Sequence, residues 1–433
     1  PVETVSGEGE TESRADGQTG SELSTQHSAL STSPAARLSV SDVWSGLQAL
    51  VDASLVRREE SEDGDVRFTI LQTIREHALD ELAASDEEQI IRARHAAWAV
   101  ALAELAEPRL FTADEASWLR RLRREQDNLN AALDWAASPE AGDTGLRLAG
   151  ALADYWYLRG QVAEGEDRLR RALDATPVRN PARVKAMVGD CMLMIGRGDT
   201  AAAIARGEEA LALATELGDR LGIAKALAML AGGAQHQRDY ARAFALHRQS
   251  LEILSDSGEE AWINNALFNL AWTAHGMGDD RTAAAYVEQL QRIAATTHDT
   301  FFASVTLLIL GDLALAAEEH ATAAARYQEV LAASRRRGDR WLAADSLVGF
   351  AAVLAQTGEP ERGARLLGAA EALYRRLGVP FPPRDRPDYP AWLETIQEQL
   401  GAGTFAQAWS AGADLTLAEA AEDAMTIASS LAA

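Results

Sequence analysis

Phe268, Trp272 and His275 fall at i, i+4 and i+7, on one face of any helix that carries them, with Asn265 beside them. Two aromatic rings next to an amide and an imidazole suit the capture of a peptide or small ligand. The same spacing also lets a bulky residue fill a helix interface, so Trp272 has a plain packing role as its alternative. Elsewhere the reactive residue types form no catalytic pattern. The eight histidines include no His-x-x-x-His or His-Glu-x-x-His spacing, and one cysteine, Cys191, leaves no Cys-x-x-Cys pair. No Gly-x-Ser-x-Gly elbow and no Gly-rich loop ending in Lys-Ser or Lys-Thr occurs. The expectation is a chain that is not an enzyme, without metal or cofactor.

The elements that position these residues follow from a repeat. Gly198, Arg238, Gly278, Glu318 and Gly358 stand forty residues apart, and Gly218, Gly258, His298, Gly338 and Gly378 form a second series offset by twenty. A small residue follows each turn of the first series at a fixed offset: Ala203, Ala243, Ala283, Ala323 and Gly363. Four L-x-x-L-[AG]-type patterns precede turns, "LAMLA" at 227–231, "LFNLA" at 267–271, "LLILG" at 307–311 and "LVGFA" at 347–351. The small fifth residue admits a neighbouring helix while the larger ones fill the layer between helices. One forty-residue hairpin cannot bury its apolar face alone, so the units fold only as a stack. The predicted fold class is therefore all-α, an α-solenoid of helical hairpins. Arg-Gly-Asp at 197–199 and 337–339 falls at turns, where Gly ends one helix and Asp caps the next.

Ahead of the stack the pattern changes. Residues 1–36 are mostly Ser, Thr, Gly and Glu, a composition too polar to order itself, and read as a linker or tail. Residues 37–84 read as helix, two-stranded wing, helix: a stripe of Val43, Trp44, Leu47, Leu50 and Val51, then "SLVRR", "EESEDGD", and "RFTILQTIREHALDEL". Helical patterns at 86–107, 113–137, 142–159 and 161–175 make 85–177 a helical adaptor with a first irregular repeat, before five regular repeats over 178–378. Five prolines within 378–390 stop the array, and 379–433 becomes a Pro-rich turn and helical cap.

This order resembles the C-terminal part of bacterial STAND-type signalling NTPases, a winged-helix remnant followed by tetratricopeptide-like repeats, as found in LuxR-type and SARP-type regulators. The stretches that carry the resemblance include "LQALVDASLVRRE", "RFTILQTIREHALDEL", "WLRRLRREQDNLNAALDWA", "LADYWYLRGQVAEGEDRLRRAL", "LLGAAEALYRRLGVPFPP" and "FAQAWSAGADLTLAEAAEDA". Such proteins carry an ATPase module before the winged helix, and many end in a DNA-binding helix-turn-helix. Neither is present here, and the first residue is Pro1, which suggests a fragment or a processed chain.

In stacks of this kind the first helix of each hairpin lines the concave side. Aligning the turns places Arg147, Asp154, Tyr157, Lys185, Met192, Lys225, His236, Asn265, Phe268, Trp272, His275, Asp312 and Asp345 on that side. The expected partner is a protein, a peptide or a small effector held there. DNA contact by this chain is disfavoured. The formal charge is −24, and residues 37–82 hold five Arg against ten acidic side chains, a net of −5. The arginine clusters at 120–124 and 335–340 read as solvated helix faces. No stretch approaches the ~18 consecutive apolar residues of a membrane span, and one cysteine fits a reducing cytoplasm. A non-enzymatic sensor arm is the leading expectation, and a DNA-binding regulator whose other modules lie outside this chain is the alternative.

Overall fold

The computed structural model describes residues 40–60, 66–110, 112, 114–297, 300–377 and 388–431. The expected tail 1–36, most of the wing turn, the turns at His298 and Gly378, and the Pro-rich stretch before Asp388 lie outside these residues. Two compact units divide the chain between Trp98 and Ala99.

The first unit begins with α1 (Val40–Asp52), followed by the antiparallel strands β1 (Val56–Glu60) and β2 (Val66–Ile70) and then α2 (Gln72–Ala83). Val56 pairs with Ile70 and Arg58 with Phe68, whose ring meets Trp44 edge-on at 5.9 Å. Leu71, at ψ 141°, is the single extended residue between β2 and α2, so strand passes to helix without a loop. The unit buries little: α2 has no buried residue, and Val43, Trp44, Leu50, Leu55, Ile70, Leu71 and Leu79 are exposed. Next comes α3 (Glu88–Ala106), within which the division between the units falls.

The second unit is helical throughout its described residues. A 3-10 turn at Glu107–Arg109 leads to α4 (Glu115–Arg124) and α5 (Gln126–Ala136). The single helix expected over 113–137 is thus two. Glu125 turns out of helical geometry (φ −93°, ψ 5°), and its buried carboxylate accepts a hydrogen bond from Asn128 Nδ2 at 2.7 Å.

Hairpins then follow in order: α6 (Thr144–Arg159) with α7 (Val162–Ala175), α8 (Pro181–Arg197) with α9 (Thr200–Leu217), and α10 (Arg220–His236) with α11 (Tyr240–Leu254). They continue as α12 (Glu260–Gly276) with α13 (Asp280–Thr297), α14 (Thr300–Ala316) with α15 (His320–Arg337), and α16 (Arg340–Thr357) with α17 (Pro360–Leu377). Each helix packs on its hairpin partner and on the next hairpin, the arrangement of an α-solenoid.

The repeat's turns share one backbone conformation. Gly198, Gly278 and Gly358 are left-handed at φ 86°, 76° and 87°, and so are Arg238 (62°) and Glu318 (60°), which lack glycine's freedom. Aspartates 199, 239, 279 and 339 follow such turns and accept a backbone N–H at 3.0–3.3 Å, capping the next helix. Both Arg-Gly-Asp tripeptides are these turns. Ala203, Ala243, Ala283 and Ala323 are fully buried, which is what close helix approach requires. Cys191 is sealed beside them with its thiol on Ala203 O at 3.1 Å, and burial pushes its pKa up to about 12.

A cap closes the C-terminal side. α18 (Tyr389–Ala413) bends at Gly401, and α19 (Leu417–Leu431) follows. Gly368 and Gly412 let the α17 and α18 backbones touch, since a Cβ on either would strike the other helix's main chain. Asp423 of α19 receives Arg362 at 2.9 Å and Arg365 at 2.8 Å. Deeper in the stack, the Tyr327 ring fills a slot between Gly311 and Gly349, its hydroxyl donating to buried Asp312 at 2.6 Å. One further contact joins distant hairpins: a Cβ built on Gly160, in the α6–α7 turn, would stand 2.7 Å from the carbonyl oxygen of Leu377 at the end of α17.

Candidate functional site

Lys185, Lys225, Asn265, Val305 and Asp345 occupy one register, forty residues apart, on α8, α10, α12, α14 and α16. The register is open over its first three members, which are half-buried, and closed at Val305 (1% exposed) and Asp345 (3%). A partly exposed stretch of this register therefore runs across α8, α10 and α12. Its polar content is unusual for this chain, because Lys185 and Lys225 are its only lysines.

Each lysine is held by a carboxylate. Lys185 Nζ pairs with Glu107 Oε2 from the 3-10 turn. Lys225 Nζ lies 3.3 Å from Glu259 Oε2 and 5.0 Å from the centre of the Trp262 ring, a cation–π contact. Asp154 of α6 completes the cluster. Burial, with the charge of Glu107 adding to it, lifts its carboxyl to about 7 against the pull of Lys225 and Lys185. The residue is half-buried, its carboxyl lies deep among protein atoms, and among the described residues it makes no hydrogen bond or direct ion pair. Glu107 and Glu259 are matched by the two ammonium groups, and the Asp154 carboxyl is left without a cation of its own.

Other residues expected on this face have different environments. Tyr157 is half-buried with its ring against Gly196, and His236 is half-buried at the end of α10. Met192 is half-buried, and Arg147 is engaged with Glu104 at 2.7 and 2.9 Å. Asn265 accepts Asn269 Nδ2 at 3.1 Å. Phe268 is half-buried, its ring 5.5 Å from that of Trp272.

Trp272 itself is 4% exposed inside the main apolar core, so packing, the alternative reading of its spacing, is what it does. Asp312 and Asp345 are buried acceptors for the hydroxyls of Tyr327 and Tyr374. His275 is likewise engaged. Its Nδ1 meets Asp280 Oδ1 at 2.6 Å and its Nε2 meets Asp388 Oδ2 at 2.8 Å. Burial alone would strip its proton, but the two carboxylates outweigh burial and raise its pKa to about 9.

Glu107, Glu259 and Trp262 are the partners of the two lysines that the sequence reading omits. A signal for Trp262 exists, since it precedes Asn265 by three residues, one helical turn. Glu107 is 78 positions from Lys185 and gives none.

No family model matches the chain. Over 192 residues, 42% of its length, the chain is 33% identical to a protein of Mycobacterium tuberculosis named "Putative HTH-type transcriptional regulator", and equally to a Mycobacterium bovis protein of the same description. The match spans 21% of those relatives, about a fifth of their length. The crystal structure of a Rap protein complexed with competence and sporulation factor superposes with a TM-score of 0.52 at 13% identity, covering 80% of this chain and 99% of that one. The apo form of the quorum sensor NprR from B. thuringiensis gives 0.44 at 14% identity, over 80% and 100%. By its own repeat geometry and by the first of these superpositions, the second unit has a tetratricopeptide-like α-solenoid fold.

Proposed function

We propose that this chain is a non-enzymatic binding arm of a bacterial transcription-regulatory protein. In this reading the inner face of α8, α10 and α12 takes up a peptide or small effector. The observation that carries the proposal is the convergence of the chain's two lysines, Asp154 and Trp262 on one open stretch of a face otherwise closed by packing. The partial sequence match to proteins named as transcriptional regulators supports the regulatory setting. A binding role also agrees with the Rap protein of similar fold, which was crystallised in complex with competence and sporulation factor.

The finer assignment is to the STAND-type, LuxR- and SARP-type regulators, with residues 37–84 as a partial winged helix, 85–177 as adaptor, 178–378 as repeats and 379–433 as cap. It rests on the order helix, two strands, helix, solenoid. An ATPase or DNA-binding module of the whole protein would lie outside these residues, and its setting would be the cytoplasm. Among the described residues no helix is long and apolar enough to cross a membrane. The acidic charge argues against direct DNA contact by this chain.

Retention of a random heptapeptide library on the immobilised chain tests the binding role. Wild type retains a subset of the library, and Lys225→Ala with Asn265→Ala releases it. Equal retention by both proteins would remove the inner face from consideration.

A further inference from the structure

The inner-face cluster is asymmetric in a way that selects a ligand. Both ammonium groups are already engaged, Lys185 with Glu107 and Lys225 with Glu259 and the Trp262 ring. Asp154 is the one carboxylate of the five charged groups without a direct partner among the described residues. An anionic ligand would have to draw a lysine from its carboxylate and would bring a fourth negative charge beside Glu107, Asp154 and Glu259. A cationic ligand group meets the opposite situation. It supplies the missing positive charge, and the polar bond it forms displaces no existing ion pair.

We propose that Asp154 is the acceptor for a basic group, a guanidinium or an ammonium, on a peptide lying across α8, α10 and α12. The proposal rests on the inner-face binding role given above and adds the charge of the ligand to it. The elevated pKa of Asp154 agrees with a carboxyl that lacks a cationic partner in the free protein. Length is bounded as well. Adjacent packed helices stand about 8–10 Å apart, so three of them span roughly 20 Å, or about six extended residues at ~3.3 Å each. Beyond α12 the register is buried at Val305 and Asp345, which ends the accessible run.

The test uses the full chain and an N-acetylated, C-amidated random heptapeptide library, so that only side chains carry charge. Wild type enriches Arg- and Lys-containing peptides. Asp154→Asn, which keeps the shape of the side chain, binds the same peptides about ten- to hundredfold more weakly, the worth of a hydrogen bond to a charged group. Circular dichroism and thermal melting verify that the variant folds. Should it not fold, argininamide added to wild type carries the test, and displacement of the retained peptides at millimolar concentration is the expected result.

Enrichment of acidic or neutral peptides, basic enrichment undiminished in the folded Asp154→Asn, or failure of argininamide to compete overturns the proposal. Retention of peptides without basic enrichment overturns only the charge assignment. Absence of any retained peptide overturns the inner-face reading as well.

Discussion

The His275 pair offers the sharpest quantitative test of the solenoid's construction. His275 sits at the end of α12 with one carboxylate from the start of α13 and another from Asp388, 113 residues away, at the start of α18. Its folded pKa of about 9 lies above the ordinary histidine value of 6.5. Folding therefore takes up a proton between these two values. The pair's contribution is fully present below about pH 6.5 and is lost as pH rises through about 9.

A rise from 6.5 to about 9 corresponds to about 3 kcal/mol at about 1.4 kcal/mol per unit. The carboxylate side chains are 51% and 40% exposed, and solvent screening reduces the expected effect to about 1–2 kcal/mol. Urea unfolding at pH 6.5 and 9.5 should show wild type losing that amount relative to His275→Gln, monitored by a probe on α18. Selective histidine labelling then gives the pKa directly by NMR. A His275 that titrates at or below 6.5, or a His275→Gln difference flat across this range, would refute the ion-pair account.

Three further outcomes follow from packing and backbone. Gly349→Ala places a Cβ 2.5 Å from the Tyr327 ring and should cost about 1–3 kcal/mol in denaturant unfolding, because the ring is confined on its other side by Gly311. Arg238→Gly and Glu318→Gly relieve left-handed strain at φ 62° and 60°, and each should stabilise the array by about 0.5–1 kcal/mol, seen as a raised melting temperature. Asp423→Ala leaves Arg362 and Arg365 without their shared acceptor and should increase hydrogen exchange in α19 far more than in α12.

The repeat is legible in the sequence because its physics is local. A left-handed turn, a capping aspartate and a small residue at fixed offsets recur wherever two helices must reverse and pack, and they identify hairpins without any knowledge of the stack. Arg238 and Glu318 emerge from the period although neither is a glycine. The inner face is legible only as a broad stripe. A helix repeats every 3.6 residues, so Asn265, Phe268 and Trp272 share a side, but the packing of α14 and the cap decides which of them stays open. Trp272 goes to the core and Trp262 lies half-buried against Lys225. His275 resembles part of a binding surface because Asp388, which claims it, is contributed by a segment over a hundred residues later. The break at Glu125 escapes notice because a buried carboxylate, not a glycine or proline, makes it.

The approach of Gly160 to Leu377 has a thermodynamic consequence. A linear stack of hairpins unravels from its ends, since a terminal unit has one neighbour to lose while an interior unit has two. Here the α6–α7 turn comes close to the end of α17 at Gly160, so each has an approach beyond its sequence neighbours. Fraying at either place also loses this approach. Two hairpins far apart in sequence are thereby coupled at one point, which a stack held only by nearest neighbours would lack.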